Sequence, residues 1–248
     1  MSLPEIIDSL RAAGCVFAEE EATALVEVAD GPDLEELVRR RVAGEPLEYL
    51  VGHVDFDGRR YRLSPGVFIP RQRSSFLVEV AAGLGGSVIL DLCCGCGALG
   101  LATRDRIDPG VELVATDISA AAVGDARANG VTEAFAGDLF DAVPLSLRGR
   151  VDLLLVNAPY VPAAAIASMP RESRDFEPRV AVDGGSDGMD LQRRVLAVAR
   201  EWLSPGGSLL TETSTAQADD LAAIAHAAGL DARIEHDDER GATVLVAS

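Results

Sequence analysis

From Ser87 to the end of the chain, apolar strand-like runs alternate with helix-like runs, and this rhythm limits the fold more than any other feature. Residues 88–92 read as a buried strand, and a helix follows from about Ala98. Residues 112–116 and 119–129 repeat the pair, and residues 151–156 form a strongly apolar strand. A helix over 188–203 stops at Ser204-Pro205-Gly206-Gly207; a strand at 208–212 and a helix at 216–228 follow. Residues 232–236 and 243–247 make a closing pair around a short polar loop. Such alternation predicts a doubly wound α/β fold, a mostly parallel sheet covered by helices on both faces, with one antiparallel strand at the end.

The 86 residues before it have another character. Residues 1–44 read as short helices, with Pro4 in a first turn, Gly14 as a stop and Gly31-Pro32 as a break. Their apolar surface is small, so they are expected to pack on the rest of the chain or on a partner. Two short runs around Asp57-Gly58 give a hairpin signal, residues 67–69 a third short strand, and residues 72–82 a linking helix. The expected divisions are 1–53 (helical region, with a possible part in substrate recognition), 54–86 (hairpin and linker helix) and 87–248 (the alternating domain).

The turn after the first strand of the alternation is Asp91-Leu92-Cys93-Cys94-Gly95-Cys96-Gly97-Ala98-Leu99-Gly100. Its glycines match a dinucleotide fingerprint, and Asp117 stands where a ribose-binding carboxylate belongs. Two cofactors compete for it. A dinucleotide would place pyrophosphate at the helix N-terminus, close to the carboxylate of Asp91. S-adenosylmethionine carries an ammonium and a sulfonium, and both favour a nearby carboxylate. Asp91 therefore tilts the turn toward the sulfonium donor, with Gly95 and Gly97 allowing close backbone approach and Asp117-Ile118 at the ribose. The plainer alternative is that Asp91 caps the helix and the glycines pack a turn. Further on, Gly137-Asp138-Leu139-Phe140 falls at the carboxyl edge where such sheets bind ligands. Asp138 there suits an adenine amine, with Leu139 and Phe140 against the ring; a solvated turn aspartate is the other reading.

Asn157-Ala158-Pro159-Tyr160 directly follows the strand at 151–156. An amide nitrogen is a poor nucleophile because its lone pair is delocalised. Two acceptors, the Asn157 side-chain oxygen and a carbonyl near Ala158 or Pro159, would hold its two N–H groups and aim it at a methyl carbon, while Tyr160 packs on its plane. The alternative is an ordinary strand-end turn.

With these motifs in order, the chain resembles the protein glutamine-N(5) methyltransferase family, which acts on the glutamine of a Gly-Gly-Gln motif in peptide-chain release factors. The matching stretches run from Gly44-Glu45-Pro46-Leu47-Glu48-Tyr49 and Phe68-Ile69-Pro70-Arg71 through the glycine turn, Thr116-Asp117-Ile118-Ser119, Gly137 to Phe140 and Asn157 to Tyr160. They continue through Arg174-Asp175-Phe176-Glu177-Pro178-Arg179, Asp183-Gly184-Gly185 and Pro205-Gly206-Gly207. The resemblance covers about residues 40–248. It implies a Rossmann-like class I methyltransferase with a seven-stranded sheet and S-adenosyl-L-methionine as donor. It implies cofactor roles for Gly95, Gly97, Asp117 and Asp138, and substrate roles for Asn157, Pro159 and Tyr160; Arg71 and Ala158 join the expected substrate side.

Three departures mark a divergent branch. Ala158 stands where the family usually has Pro, and Cys93 where it usually has Gly. Gln72-Arg73-Ser74-Ser75 replaces a stretch that usually carries two carboxylates, so a positive charge is gained.

Charge and cysteine usage narrow the partners. The formal net charge of −18 disfavours nucleic acid and anionic membranes, and the resemblance implies a protein acceptor like a release factor. No apolar run approaches the ~20 residues of a membrane helix, and the first residues lack a secretory pattern. Cys93, Cys94 and Cys96 form no disulfide framework and have no nearby fourth metal ligand, so no metal is expected and the cytoplasm is the default compartment. Arg171, Arg174 and Arg179 read as a loop, solvated or facing an acidic partner, and Trp202 reads as core.

Overall fold

The computed structural model describes residues 1–248. Four helices come first: α1 (Leu3–Ala12), α2 (Ala18–Val28), α3 (Gly31–Val42) and α4 (Leu47–Val51). Glu5 reaches back to accept the Ser2 N–H at 2.7 Å, which satisfies one of the free donors at the start of α1. Pro32 lies in the first turn of α3, so Gly31-Pro32 starts that helix as well as ending the previous segment. These helices enclose a small cluster that includes Ile6, Leu10, Leu25, Val38 and Leu50. The sequence pattern does not announce α4, because it is a single short turn, entered from Pro46 and stopped at Gly52.

The hairpin forms as expected, from β1 (His53–Phe56) and β2 (Arg59–Arg62). Asp57 and Gly58 both have positive φ (49° and 76°), which matches the right-handed twist of the strands. The expected strand at 67–69 does not form. The Val67 N–H is used in a turn with Ser64, and the Ile69 N–H donates to the Glu177 carboxylate, so neither is available to a ladder. A 3₁₀ turn at Gln72–Ser74 then leads into α5 (Ser75–Leu84).

The rest is the alternating domain: β3 (Val88–Leu92), α6 (Ala98–Ile107), β4 (Glu112–Asp117), α7 (Ala120–Asn129), β5 (Glu133–Ala136), β6 (Val151–Val156), α8 (Arg171–Phe176), α9 (Asp190–Val198), β7 (Leu203–Thr213), α10 (Ala218–Ala227), β8 (Ala232–Asp237) and β9 (Ala242–Ala247). The sheet order is β5-β4-β3-β6-β7-β9-β8. The first five of these strands are parallel, and β9 is antiparallel to both its neighbours, inserted between β7 and β8. All five residues of β3 are buried, as a strand covered on both faces requires.

Two elements differ from expectation. The helix expected to reach 203 ends at Val198, and β7 starts at Leu203, bulging through Pro205-Gly206-Gly207 against β6. The stretch holding Arg171 and Arg174 is the short helix α8, not a loop; it carries no apolar stripe from which it could be read. Trp202 is buried and stacks on Phe140, ring centroids 5.1 Å apart. Because β4 and β5 lie to one side of β3 while β6 and β7 lie to the other, a crevice opens at the carboxyl ends of the central strands.

Candidate active site

The glycine turn occupies that crevice. Cys93, Gly95 and Gly97 all have positive φ (56°, 54° and 79°), which folds the backbone tightly between β3 and α6. A Cβ on Gly97 would come within 2.9 Å of Val131, so only glycine fits there. Asp117, at the end of β4, locks onto the same turn. Its two carboxylate oxygens accept the Gly95 N–H at 2.9 Å and the Ser119 N–H at 2.8 Å. Burial raises its pKa above the ordinary carboxylate value, while these two N–H groups pull it back down.

A cavity of about 310 Å³ lies over this turn. Of the residues singled out from the sequence, Gly95, Asp117, Ile118, Asp138, Leu139, Asn157 and Pro159 line it. Gly97 does not; it packs behind the turn. Asp91 does not line it either. That side chain is almost wholly buried, one oxygen accepts the Gly100 N–H at 3.0 Å, and burial pushes it up to about 7. It does border a chamber of about 20 Å³, room for roughly one water, shared with Phe68, Cys93, Gly95 and Asn157. Asp138 bonds to Arg194 at 2.7 Å. Arg194 and Phe68 also line the main cavity, and sequence reasoning found neither, since each comes from a segment distant from the glycine turn.

A second cavity, about 370 Å³, adjoins the first and shares Phe68, Asn157, Pro159 and Ala181 with it. Arg71, Arg73, Asn157, Ala158, Pro159 and Tyr160 all border it. Asn157 thus stands at the junction, its amide making no hydrogen bond within the protein, and the Ala158 and Pro159 carbonyls accept none from the backbone. The Tyr160 hydroxyl, by contrast, is engaged. It donates to Glu212 at 2.7 Å and accepts from Arg73 at 2.7 Å, while Arg73 Nε donates to the same Glu212 oxygen at 2.8 Å. Ser74 holds the other Glu212 oxygen. Burial and the neighbouring carboxylate push the Tyr160 phenol up, so it stays protonated. Arg71 lies over the Phe68 ring, 4.9 Å from its centroid, and pairs with the buried Glu177. Glu212 and Glu177 were not foreseen, although a carboxylate at the inner end of the apolar strand β7 is a signal by itself.

Residues 63–169 match the family model "Methyltransferase small domain". The chain is 36% identical to a release factor glutamine methyltransferase of Bradyrhizobium diazoefficiens, over 85% of this chain and 74% of that protein. It is 31% identical to one of Bifidobacterium longum, over 89% of this chain and 88% of that protein. The chain belongs to the release factor glutamine methyltransferase family. Among the relatives there is also a 4-amino-L-phenylalanine/4-methylamino-L-phenylalanine methyltransferase of Streptomyces pristinaespiralis, 34% identical over 77% of this chain and 69% of that protein. The fold is shared with a methyltransferase from Pyrococcus furiosus (TM-score 0.57, 15% identity, 75% of this chain and 88% of that one). It is shared too with a ribosomal protein L11 methylase from Lactobacillus delbrueckii subsp. bulgaricus (TM-score 0.53, 15% identity, 76% and 84%).

The enzyme is therefore an S-adenosylmethionine-dependent methyltransferase with a Rossmann-like domain. The first cavity fits that cofactor. Its charged lining is Asp117, Asp138, Asp183 and Arg194, and the arginine is already neutralised by Asp138. Three carboxylates against one arginine, itself paired with Asp138, favour a cationic donor over a pyrophosphate. No helix is long and apolar enough to cross a membrane.

Proposed function

We propose that this enzyme methylates the side-chain amide nitrogen of a glutamine in a protein acceptor, with a peptide-chain release factor as the first acceptor to test. One observation carries the reading: at the junction of the two cavities, the unengaged Asn157 amide stands beside two carbonyls with no backbone partner. When bound, S-adenosylmethionine supplies an electrophilic methyl carbon. Asp117 and Asp138 would hold its ribose and adenine ends, and Asp91, beside the small chamber, would favour its cationic methionine end. Asn157 Oδ1 and a carbonyl of Ala158 or Pro159 accept the two N–H groups of the incoming amide. This fixes the nitrogen's direction and favours charge gathering on it, and alignment of this kind is worth several kcal/mol, on the order of ~7–11 in the best cases. Phe68 and Pro159, shared by both cavities, exclude water from the junction. No general base is needed, because the methylated nitrogen sheds its proton to a carbonyl or to solvent.

The test is transfer from methyl-labelled cofactor to a purified release factor, followed by mass spectrometry of the labelled peptide. Label on a glutamine, lost in Asn157→Ala, is expected; a cofactor-bound enzyme that labels no glutamine in any protein removes the reading. A second acceptor class has its own support, since the Streptomyces pristinaespiralis relative is named for a small aromatic amino acid with a free amine. Transfer to 4-amino-L-phenylalanine in the same assay, with none to protein, selects it.

A further inference from the structure

The acceptor cavity has an asymmetry that amide recognition does not need. Two guanidinium groups border it, from Arg71 and Arg73, and only one carboxylate, Glu172. Glu172 is already bonded to Arg41 at 2.6 Å. The carboxylates that hold the two arginines, Glu177 and Glu212, have side-chain exposures of 0% and 2% and lie behind them, while the arginines keep 27% and 42%. An incoming molecule therefore meets two guanidinium edges against a single carboxylate, Glu172, one of whose oxygens is held by Arg41. Donors remain for it. Arg73 uses Nε toward Glu212 and Nη2 toward Tyr160, leaving Nη1 free. Arg71 uses only Nη2, toward Ser173 and Glu177, leaving Nε and Nη1 free. Both guanidiniums are held rigidly from behind, so an anion gains their N–H groups without ordering a loose side chain.

We infer that Arg71 and Arg73 form a carboxylate-binding subsite, and that the enzyme selects acceptors whose reactive nitrogen is flanked by a carboxylate. This rests on the proposed acceptor chemistry and narrows it. The carboxylate can come from an acidic residue beside the target glutamine in a polypeptide or from the α-carboxylate of a free amino acid, and paired probes separate these sources. The polypeptide arm compares acetyl-Gly-Gln-Asp-amide with acetyl-Gly-Gln-Asn-amide; the small-molecule arm compares L-glutamine with L-glutaminamide. Affinity is measured by calorimetry on enzyme saturated with S-adenosylhomocysteine, and KM by transfer from labelled cofactor.

In at least one arm the acidic member is expected to bind on the order of 10-fold tighter than its neutral counterpart. Arg73→Gln removes the preference. Arg73→Lys, which keeps the charge beside buried Glu212 but loses the fork, retains part of it. S-adenosylhomocysteine affinity reports that each variant is folded. Equal affinities within both pairs, or a preference undiminished in Arg73→Gln, overturns the inference; the wild-type comparison decides even if a variant fails to fold. A carboxylate preference in binding without methylation of any glutamine keeps the subsite and removes the glutamine reading. Methylation of both peptides at one KM does the opposite.

Discussion

The two halves of the cleft, divided at Asn157, are built by different means. On the cofactor side the fixed group is Asp117, and its partners are backbone N–H groups of Gly95 and Ser119 at two adjacent strand ends. On the acceptor side the fixed groups are side chains held by other side chains far away in sequence: Arg73 and Ser74 by Glu212, Arg71 by Glu177. The first arrangement comes from the turn and the sheet, through backbone donors that most side-chain changes leave in place. The second can change character by a single residue without disturbing the sheet. Evolution of acceptor choice on a constant methyl donor needs that separation.

The strongest attack on this division is at its boundary. Asn157→Ala is expected to lower kcat on the order of 100-fold by leaving the acceptor nitrogen unaligned, while S-adenosylhomocysteine affinity stays close to wild type. Single-turnover transfer and calorimetry on the same preparation decide it; parallel losses in both would place Asn157 wholly on the cofactor side. Asp117→Ala should do the reverse. Losing a charged acceptor for the ribose hydroxyls costs about 1.5–3 kcal/mol, so the dissociation constant rises on the order of 10- to 100-fold. Turnover at saturating cofactor should change much less.

A pH effect sharpens the same contrast, because it belongs to one half alone. Asp91 is pushed from 3.8 up to about 7 by burial. The folded state therefore holds this proton more tightly than the unfolded chain does. Its stabilising contribution is complete below about pH 4 and is lost as pH rises toward 7. Asp91→Asn should flatten this decline in the thermal stability of the ligand-free enzyme. A cation bound near Asp91 favours the ionised form, so cofactor binding should tighten as pH approaches 7 and release a proton near pH 6. Calorimetry in buffers of different ionisation enthalpy measures that release; an equal release in Asp91→Asn would assign it to another group.

Legibility in the sequence follows distance along the chain, not this boundary. Gly95, Asp117 and Asn157 are readable because each acts at the end of a strand whose apolar pattern announces it, and the cavity gathers all three. Asp91 is readable as a charge but not as a buried one. Its engagement with Gly100 across the turn depends on how α6 folds back. Arg194 on Asp138 and Arg73 on Glu212 join residues 56 and 139 positions apart, and no local period carries such information. The misplaced strand at 67–69 has the same origin. Val67 and Ile69 are buried as a strand's inward residues would be, but the Ile69 N–H is taken by Glu177, 108 residues on. The sequence shows that these residues are inside; only the tertiary partner decides that they are not paired.

The smallest effect concerns Cys93, which stands at φ 56° in the glycine turn and lines the cofactor cavity. A non-glycine residue in this region loses about 1–2 kcal/mol to the clash of Cβ with its own carbonyl. Cys93→Gly relieves that strain but enlarges the unfolded ensemble by about 0.5–1 kcal/mol, so the two nearly cancel and Tm should move by no more than about 2–4 °C. Cys93→Val adds a branch at Cβ, where this conformation tolerates it least, and should unfold at lower temperature than either. Neither change should alter KM for the acceptor, since Cys93 does not border that cavity. If valine proved as stable as glycine, the turn would not be dictated by its backbone, and the cofactor half would be as much a product of side-chain choice as the acceptor half.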